Sequence, residues 1–158
     1  FHNWTSDDKV TLFLRWDAHK SIDETRNMIQ QWLDSYQEDS TYYWGIYLKD
    51  GEMIGSIGVT ITSEYDFKGE LGYKIGSCWW NQGYSSEAAR AVIDYMFCNT
   101  DIERMDAFCS VKNPASGKVM EKAGMQYEGC LRHYYKTRDG FHDCSLYGII
   151  RSMWEQID

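Results

Sequence analysis

A chain of 158 residues, with 43% hydrophobic and 25% charged side chains and a single proline, can bury one substantial core and is neither a disordered, a collagen-like nor a low-complexity sequence. Its formal net charge of −8 argues against nucleic-acid binding, which needs clustered Lys and Arg, and suits a cationic partner such as an amine. No apolar run has the length of a bilayer span and the first residues carry no signal-peptide pattern, so a cytoplasmic protein that does not engage a membrane is expected.

In chain order, the polar cluster from Asn3 to Lys9 ahead of Val10, Leu12, Phe13 and Leu14 reads as a short helical turn. Ser21-Ile22-Asp23-Glu24 is a capping box, and Ile22, Met28, Ile29, Trp32, Leu33 and Tyr36 follow at helical spacing, which predicts an amphipathic helix from Ser21 to Gln37. Tyr42 to Leu48 and Met53 to Thr62 are rich in β-branched and aromatic residues and are joined through Asp50-Gly51, a hairpin signal. A third strand, Gly69 to Ile75, completes an antiparallel meander. The alanine-rich stretch from Ser85, apolar at Ala88, Ala89, Val92, Ile93 and Met96, predicts the strongest helix of the chain. Met105 to Val111 alternates like a strand. Asn113 at the N-cap and Pro114 at the first helical position open a helix that ends before Gly124. Gln126 to Lys136 and Asp143 to Met153 read as the last two strands. The crossover after the third strand makes Met105 to Val111 parallel to it, so the fold class is a mixed α/β (α+β) sheet, mostly antiparallel, with helices on both faces. Residues 1–158 read as one domain.

Five cysteines, Cys78, Cys98, Cys109, Cys130 and Cys144, are an odd number without close spacing and read as buried free thiols in a reducing compartment. Cys109 has no histidine beside it in sequence, which weighs against a covalent cysteine mechanism. His133 and His142 flank a turn without ligand spacing, so no metal is expected. Seven Trp and twelve Tyr read mainly as core and pocket wall.

The turn Gln82-Gly83-Tyr84-Ser85-Ser86 leads into a helix N-terminus, where unpaired N–H groups and the helix dipole favour an anion. Glycine at 83 lets the backbone approach a phosphate, and Ser85 and Ser86 add hydroxyl donors. On its own this turn is equally well read as an ordinary cap. Its surroundings, from Gly72-Tyr73-Lys74-Ile75 through Trp79-Trp80-Asn81-Gln82-Gly83-Tyr84-Ser85, resemble the cofactor motif of the GNAT acetyltransferases, commonly Gln or Arg, two residues, Gly, one residue, then Gly or Ala. Trp80 stands at the first position and Ser85 at the last, a variant similar to the branch that contains the N-acetyltransferases of ribosomal-protein N-termini. A second block, Asn113-Pro114-Ala115-Ser116 closing with Glu121-Lys122-Ala123-Gly124, resembles the family's Asn-x-x-Ser helix.

The resemblance implies a GNAT fold with two parallel strands splayed apart and a direct transfer in which acetyl-coenzyme A and a primary amine bind together. It implies pairing of pantetheine with the backbone of Tyr73, Lys74 and Ile75, a pyrophosphate on Gln82, Gly83, Tyr84, Ser85 and Ser86, Asn113 and Ser116 near the thiol end, and Lys118 toward the adenosine phosphate. Glu70, at the cleft, is the candidate base, with an exposed strand charge as the alternative. Ser116 is the candidate acid, with a hydroxyl bonded to its own backbone as the alternative; Tyr134 and Tyr135 are equal substitutes. A non-catalytic acyl-coenzyme A-binding module of the same fold is the competing function. The family's first strand has no counterpart, as in a chain trimmed at its start. Many relatives dimerise, and the last strand, Asp143 to Met153, is the candidate surface for a homodimer.

Overall fold

The protein is described by a computed structural model covering residues 1–36 and 40–157; Gln37, the last residue of the first predicted long helix, lies outside the described residues. The N-terminal region forms two single turns, α1 (His2–Thr5) and α2 (Asp8–Thr11), where one short turn was expected. Asp7 caps α2 by accepting from the Lys9 N–H at 2.9 Å and also accepts from the Ser77 hydroxyl, so this cap ties the N-terminus to the loop before the fourth helix. Helix α3 (Ile22–Ser35) starts as its capping box requires: Ser21 Oγ accepts from the Glu24 N–H at 3.3 Å. The Glu24 carboxylate reaches back one residue beyond the cap, accepting from the Lys20 N–H at 2.8 Å rather than from that of Ser21.

Strands β1 (Thr41–Tyr47), β2 (Met53–Ser63) and β3 (Lys68–Ile75) form the expected meander, followed by α4 (Tyr84–Asn99), β4 (Arg104–Ser110), α5 (Pro114–Lys122), β5 (Gln126–Thr137), β6 (Gly140–Ile150) and α6 (Arg151–Trp154). The six strands lie in the order β1-β2-β3-β4-β6-β5, with β3 and β4 parallel and the other neighbours antiparallel. Neighbouring residues of β1 show the two layers. Tyr43 stacks on Trp32 of α3 at 5.1 Å between ring centres, whereas Trp44 meets Tyr95 of α4 at 5.4 Å on the opposite face. The main core lies under α4 and α5, where Ile57, Val59, Leu71, Met105 and Ile149 of the sheet pack against Ala89, Ile93, Met96 and Met120. Met96 and Ile93 are fully buried, and truncating either to alanine costs about 2–5 kcal/mol.

Four expectations are corrected. Helix α4 begins at Tyr84 with Gly83 as its N-cap, not with Ser85. The last strand runs from Gly140 and stops at Ile150 rather than Met153, because the Arg151 guanidinium donates to the carbonyls of Phe97, Thr100 and Ile102 at 2.6, 2.8 and 2.7 Å and turns the chain into α6. That strand has no free edge for a dimer, since β6 lies between β4 and β5. Finally, the cysteines are free but not uniformly buried. Cys78, Cys98 and Cys130 are exposed, on a short turn, the end of α4 and the edge strand β5, and Cys109 and Cys144 are buried within β4 and β6.

Candidate active site

The parallel ladder between β3 and β4 has three rungs, Lys68 with Arg104, Gly69 with Met105 and Glu70 with Asp106. Beyond them β3 stays paired to β2 as far as Ile75, and β4 stays paired to β6 as far as Ser110. The two strands therefore part, and Leu71 to Ile75 turn a row of backbone groups toward an open cleft. One side chain crosses to α5: the Tyr73 hydroxyl donates to the Ser116 carbonyl at 2.8 Å and lies 2.8 Å from Ser116 Oγ. Burial pushes the Tyr73 phenol well above its ordinary range, so the group is a neutral hydrogen-bonding bridge at every physiological pH.

At the outer end of this edge Asn81 and Gly83 both have positive φ, +61° and +90°, and no side chain caps the first turn of α4. Gly83 accepts from the N–H groups of Ser86 and Glu87 at 3.0 Å each, which aligns the preceding N–H groups outward along the helix dipole. A β-carbon at Gly83 would meet no heavy atom within 4 Å, so φ, not crowding, requires glycine, and the space over it is open to a ligand. Ser85 and Ser86 are half-buried within this turn. The Gln82 side chain folds back to the Cys78 carbonyl at 3.0 Å, which leaves its backbone as the part that faces the opening. The Trp80 indole donates to the Ile75 carbonyl at 3.0 Å, so this member of the Tyr73–Ile75 edge already has one partner, while Lys74 sends its side chain to the opposite face, 5.2 Å from the centre of the Trp32 ring.

Helix α5 closes the cleft from the β4 side. Asn113 Oδ1 accepts from the Ser116 N–H at 3.4 Å, so that oxygen is engaged as the helix cap and not directed at a thiol. Ser116 Oγ is turned to Tyr73 rather than to its own backbone, and the same hydroxyl and the Gly117 N–H reach Cys109. Burial nonetheless pushes the Cys109 thiol up, which keeps it protonated and a poor nucleophile. Gly117 brings α5 onto β6, because a β-carbon there would lie 2.5 Å from the Tyr147 hydroxyl. Lys118 is exposed one residue further along the helix.

The inner end of the cleft opens on the other face of the sheet. Glu70 is half-buried on the last parallel rung, and burial pushes its carboxyl above the usual range against the opposing pull of Arg15. Its neighbour Asp106 is neutralised by Lys68 at 2.7 Å and Arg104 at 2.6 Å. On β4, Phe108 meets the rings of both Tyr134 and Tyr135, at 5.0 and 5.4 Å. Consecutive residues of a regular strand point to opposite faces; here β5 is irregular between Leu131 and Tyr135, with His133 at φ +49° donating its N–H to Asp143 at 2.8 Å. Arg15 and Phe108 had no local signal in the sequence, since each acquires its place through contacts with distant elements. His142 serves the scaffold: its Nδ1 lies 2.8 Å from Ser110 Oγ and its Nε2 2.8 Å from Asp139, pinning the β5–β6 turn to the end of β4. Among the described residues no group of three His, Cys, Asp or Glu side chains is arranged to hold a metal.

A splayed parallel pair with an open edge leading to an uncapped, glycine-opened helix N-terminus defines an acyl-coenzyme A transferase cleft. Residues 1–126 match the family model described as the acetyltransferase (GNAT) domain. The chain is 33% identical over 92% of its length to the uncharacterized N-acetyltransferase YoaA of Bacillus subtilis, covering 83% of that protein. It is 28% identical over 83% of its length to the ribosomal-protein-serine acetyltransferase of Escherichia coli, covering 73% of it. Its fold superposes with a TM-score of 0.82 on the spermidine N-acetyltransferase of Vibrio cholerae in complex with CoA and spermine, at 15% identity, over 98% of this chain and 90% of that one. The protein belongs to the GNAT acetyltransferases and is an enzyme that transfers an acetyl group from acetyl-coenzyme A to an amine.

Proposed function

We propose that residues 1–158 form a single cytoplasmic acetyltransferase domain that holds acetyl-coenzyme A along the β3 edge, while an amine enters from the Glu70 side and attacks the thioester carbonyl directly. The observation that carries this reading is the end of the parallel ladder at Glu70 and Asp106, which leaves a free backbone edge running from a half-buried carboxyl to an uncapped helix terminus. On this reading Tyr73, Lys74 and Ile75 pair through their backbone with the pantetheine amides. The turn of Gln82, Gly83, Tyr84, Ser85 and Ser86 takes the pyrophosphate, Asn113 and Ser116 flank the thiol end, and Lys118 meets the adenosine phosphate.

Glu70 receives the ammonium proton, directly or through water. A carboxyl raised by burial is a better acceptor near neutral pH than an ordinary one, and it lies where the cleft opens to the aromatic face. Ser116 supplies the proton to the departing thiolate, and its contact with the Tyr73 hydroxyl at 2.8 Å orients it. The acceptor is a protein N-terminus or a small-molecule amine; names among the relatives include both a ribosomal protein and spermidine. No nucleic acid or membrane takes part. No helix among the described residues is long and apolar enough to cross a membrane, and five free thiols suit a reducing compartment. A homodimer would use an outer strand, β1 or β5.

The test is thiol release from acetyl-coenzyme A across a panel of amines and peptides, combined with thermal shift by coenzyme A. Cofactor-dependent stabilisation together with amine-dependent thiol release is expected. Absence of any stabilisation at high cofactor concentration overturns the cofactor site.

A further inference from the structure

Arg15 lies in the irregular stretch between α2 and α3, and four contacts fix that stretch against the turn that joins β5 to β6. Arg138 reaches Asp8 at 3.3 Å and Asp17 at 3.6 Å, on either side of it. Phe13 meets the buried His142 edge-on at 6.3 Å, and the Arg15 guanidinium carbon lies 4.6 Å from the centre of the Tyr135 ring. Stacking on a ring orients a guanidinium while leaving most of its N–H donors available. Arg15 is exposed, and it forms no ion pair with a carboxylate among the described residues. Tyr135 in turn meets Phe108, which stands two residues beyond Asp106, the parallel partner of Glu70, and so on the same face of β4; Arg15, Tyr135 and Phe108 therefore continue the wall of the space that begins at Glu70.

The electrostatics of this space differ from those of the whole molecule. The chain carries a net charge of −8, yet around this space Asp106 faces two cations, Lys68 and an Arg104 shared with Glu128, and Arg15 has no carboxylate partner of its own among the described residues. A second ammonium of a polyamine would be driven against the guanidinium, whereas a carboxylate would meet a pre-oriented fork of donors.

We infer that Arg15 binds a carboxylate on the acceptor, so that the enzyme acetylates amines carrying a carboxylate close to the nitrogen, in preference to polyamines. The inference rests on the reading of the Glu70 side as the acceptor side. Two sources present this chemistry, an amino acid through its α-carboxylate and a peptide through an acidic residue near its N-terminus.

The experiment compares an amidated peptide with Asp at its second position against the same peptide with Asn, alanine against alaninamide, and spermidine, in wild type, Arg15→Gln and Arg15→Lys. In at least one pair the acidic member is expected to have a kcat/KM about tenfold or more above its neutral partner, carried by KM, as for a hydrogen bond to a charged group. Which pair shows it identifies the source. The ratio falls toward one in Arg15→Gln and is partly retained in Arg15→Lys, which keeps the cation. Equal values in both pairs, spermidine as the best acceptor, or a ratio that survives Arg15→Gln overturns the inference. Calorimetry of the N-acetylated Asp and Asn peptides and of N-acetylalanine and its amide, each with coenzyme A present, reads the same preference without turnover. A protein that acetylates nothing in the panel yet binds an acidic product more tightly upholds the role of Arg15 and leaves these amines out as acceptors. One that acetylates both members of each pair equally breaks the inference alone.

Discussion

The two ends of the cleft are built by different means. The outer end is backbone: the edge of β3 left free where β4 parts from it, a glycine at φ +90° and the N–H groups of one helix turn. The inner end is side chain: Glu70, Arg15, Phe108, Tyr134 and Tyr135, delivered by four separate stretches of chain. On the proposed reading, a cofactor common to a whole family is served by groups that every residue possesses. On the same reading, an acceptor that differs among relatives would be served by groups that substitution can change at little cost to the fold.

Substitutions at the two ends should therefore separate kinetically. The largest effect is expected from Glu70→Gln, which should lower kcat about a hundredfold or more if Glu70 is the base, with the dissociation constant of coenzyme A unchanged. The wild-type rate should also rise with pH along a limb lying above the ordinary glutamate value of about 4.3, and this limb should vanish in the variant. A Glu70→Gln enzyme with full activity at all pH values would remove the residue from the chemistry. Gly83→Val is the converse. Forcing a β-branched residue into the left-handed region costs roughly 1–2 kcal/mol, so coenzyme A should bind about tenfold more weakly by calorimetry, with kcat at saturation nearly unchanged.

Ser116→Ala lies between the ends. A fall in kcat of more than about threefold, with cofactor affinity held, fits a proton donor; a smaller one, under ~1 kcal/mol, assigns the hydroxyl to structure. Tyr73→Phe should cost about 1 kcal/mol of stability in denaturant melts through loss of the bond to the Ser116 carbonyl, and a kcat loss matching that of Ser116→Ala would mean that the two hydroxyls act as one. The smallest effect concerns stability. A carboxyl whose folded pKa is raised binds its proton more tightly when folded, so its ionisation removes stability as pH rises through the unfolded value toward the folded one. Glu70→Gln should consequently raise Tm slightly at pH 7 and leave it nearly unchanged at pH 4, measured by calorimetry.

The contrast also decides what could be read from the sequence. Features encoded within a few residues were legible: the Ser21 box, the Asp50-Gly51 hairpin, the Asn113-Pro114 cap and the glycine of the cofactor turn. The meander and the parallel crossover followed from element order. What escaped depends on partners far along the chain. Arg15 meets Tyr135 across more than a hundred positions, the Tyr73 hydroxyl finds Ser116, and the irregularity around His133 that gathers two adjacent tyrosines on Phe108 has no turn signature. Arg151, which ends β6 early, is an ordinary strand residue until the carbonyls at the end of α4 come within its reach.

Those last contacts bear on the cofactor end in electrical terms. The guanidinium of Arg151 meets the negative pole of α4 at the Phe97 carbonyl in its last turn and reaches the Thr100 and Ile102 carbonyls just beyond it, while the positive pole faces the proposed pyrophosphate. Over the 16 residues of α4 the helix separates these two opposite charges by about 24 Å, at 1.5 Å per residue. The residue that follows the final strand thus belongs to the same charge-compensated rod as the glycine that opens the cleft.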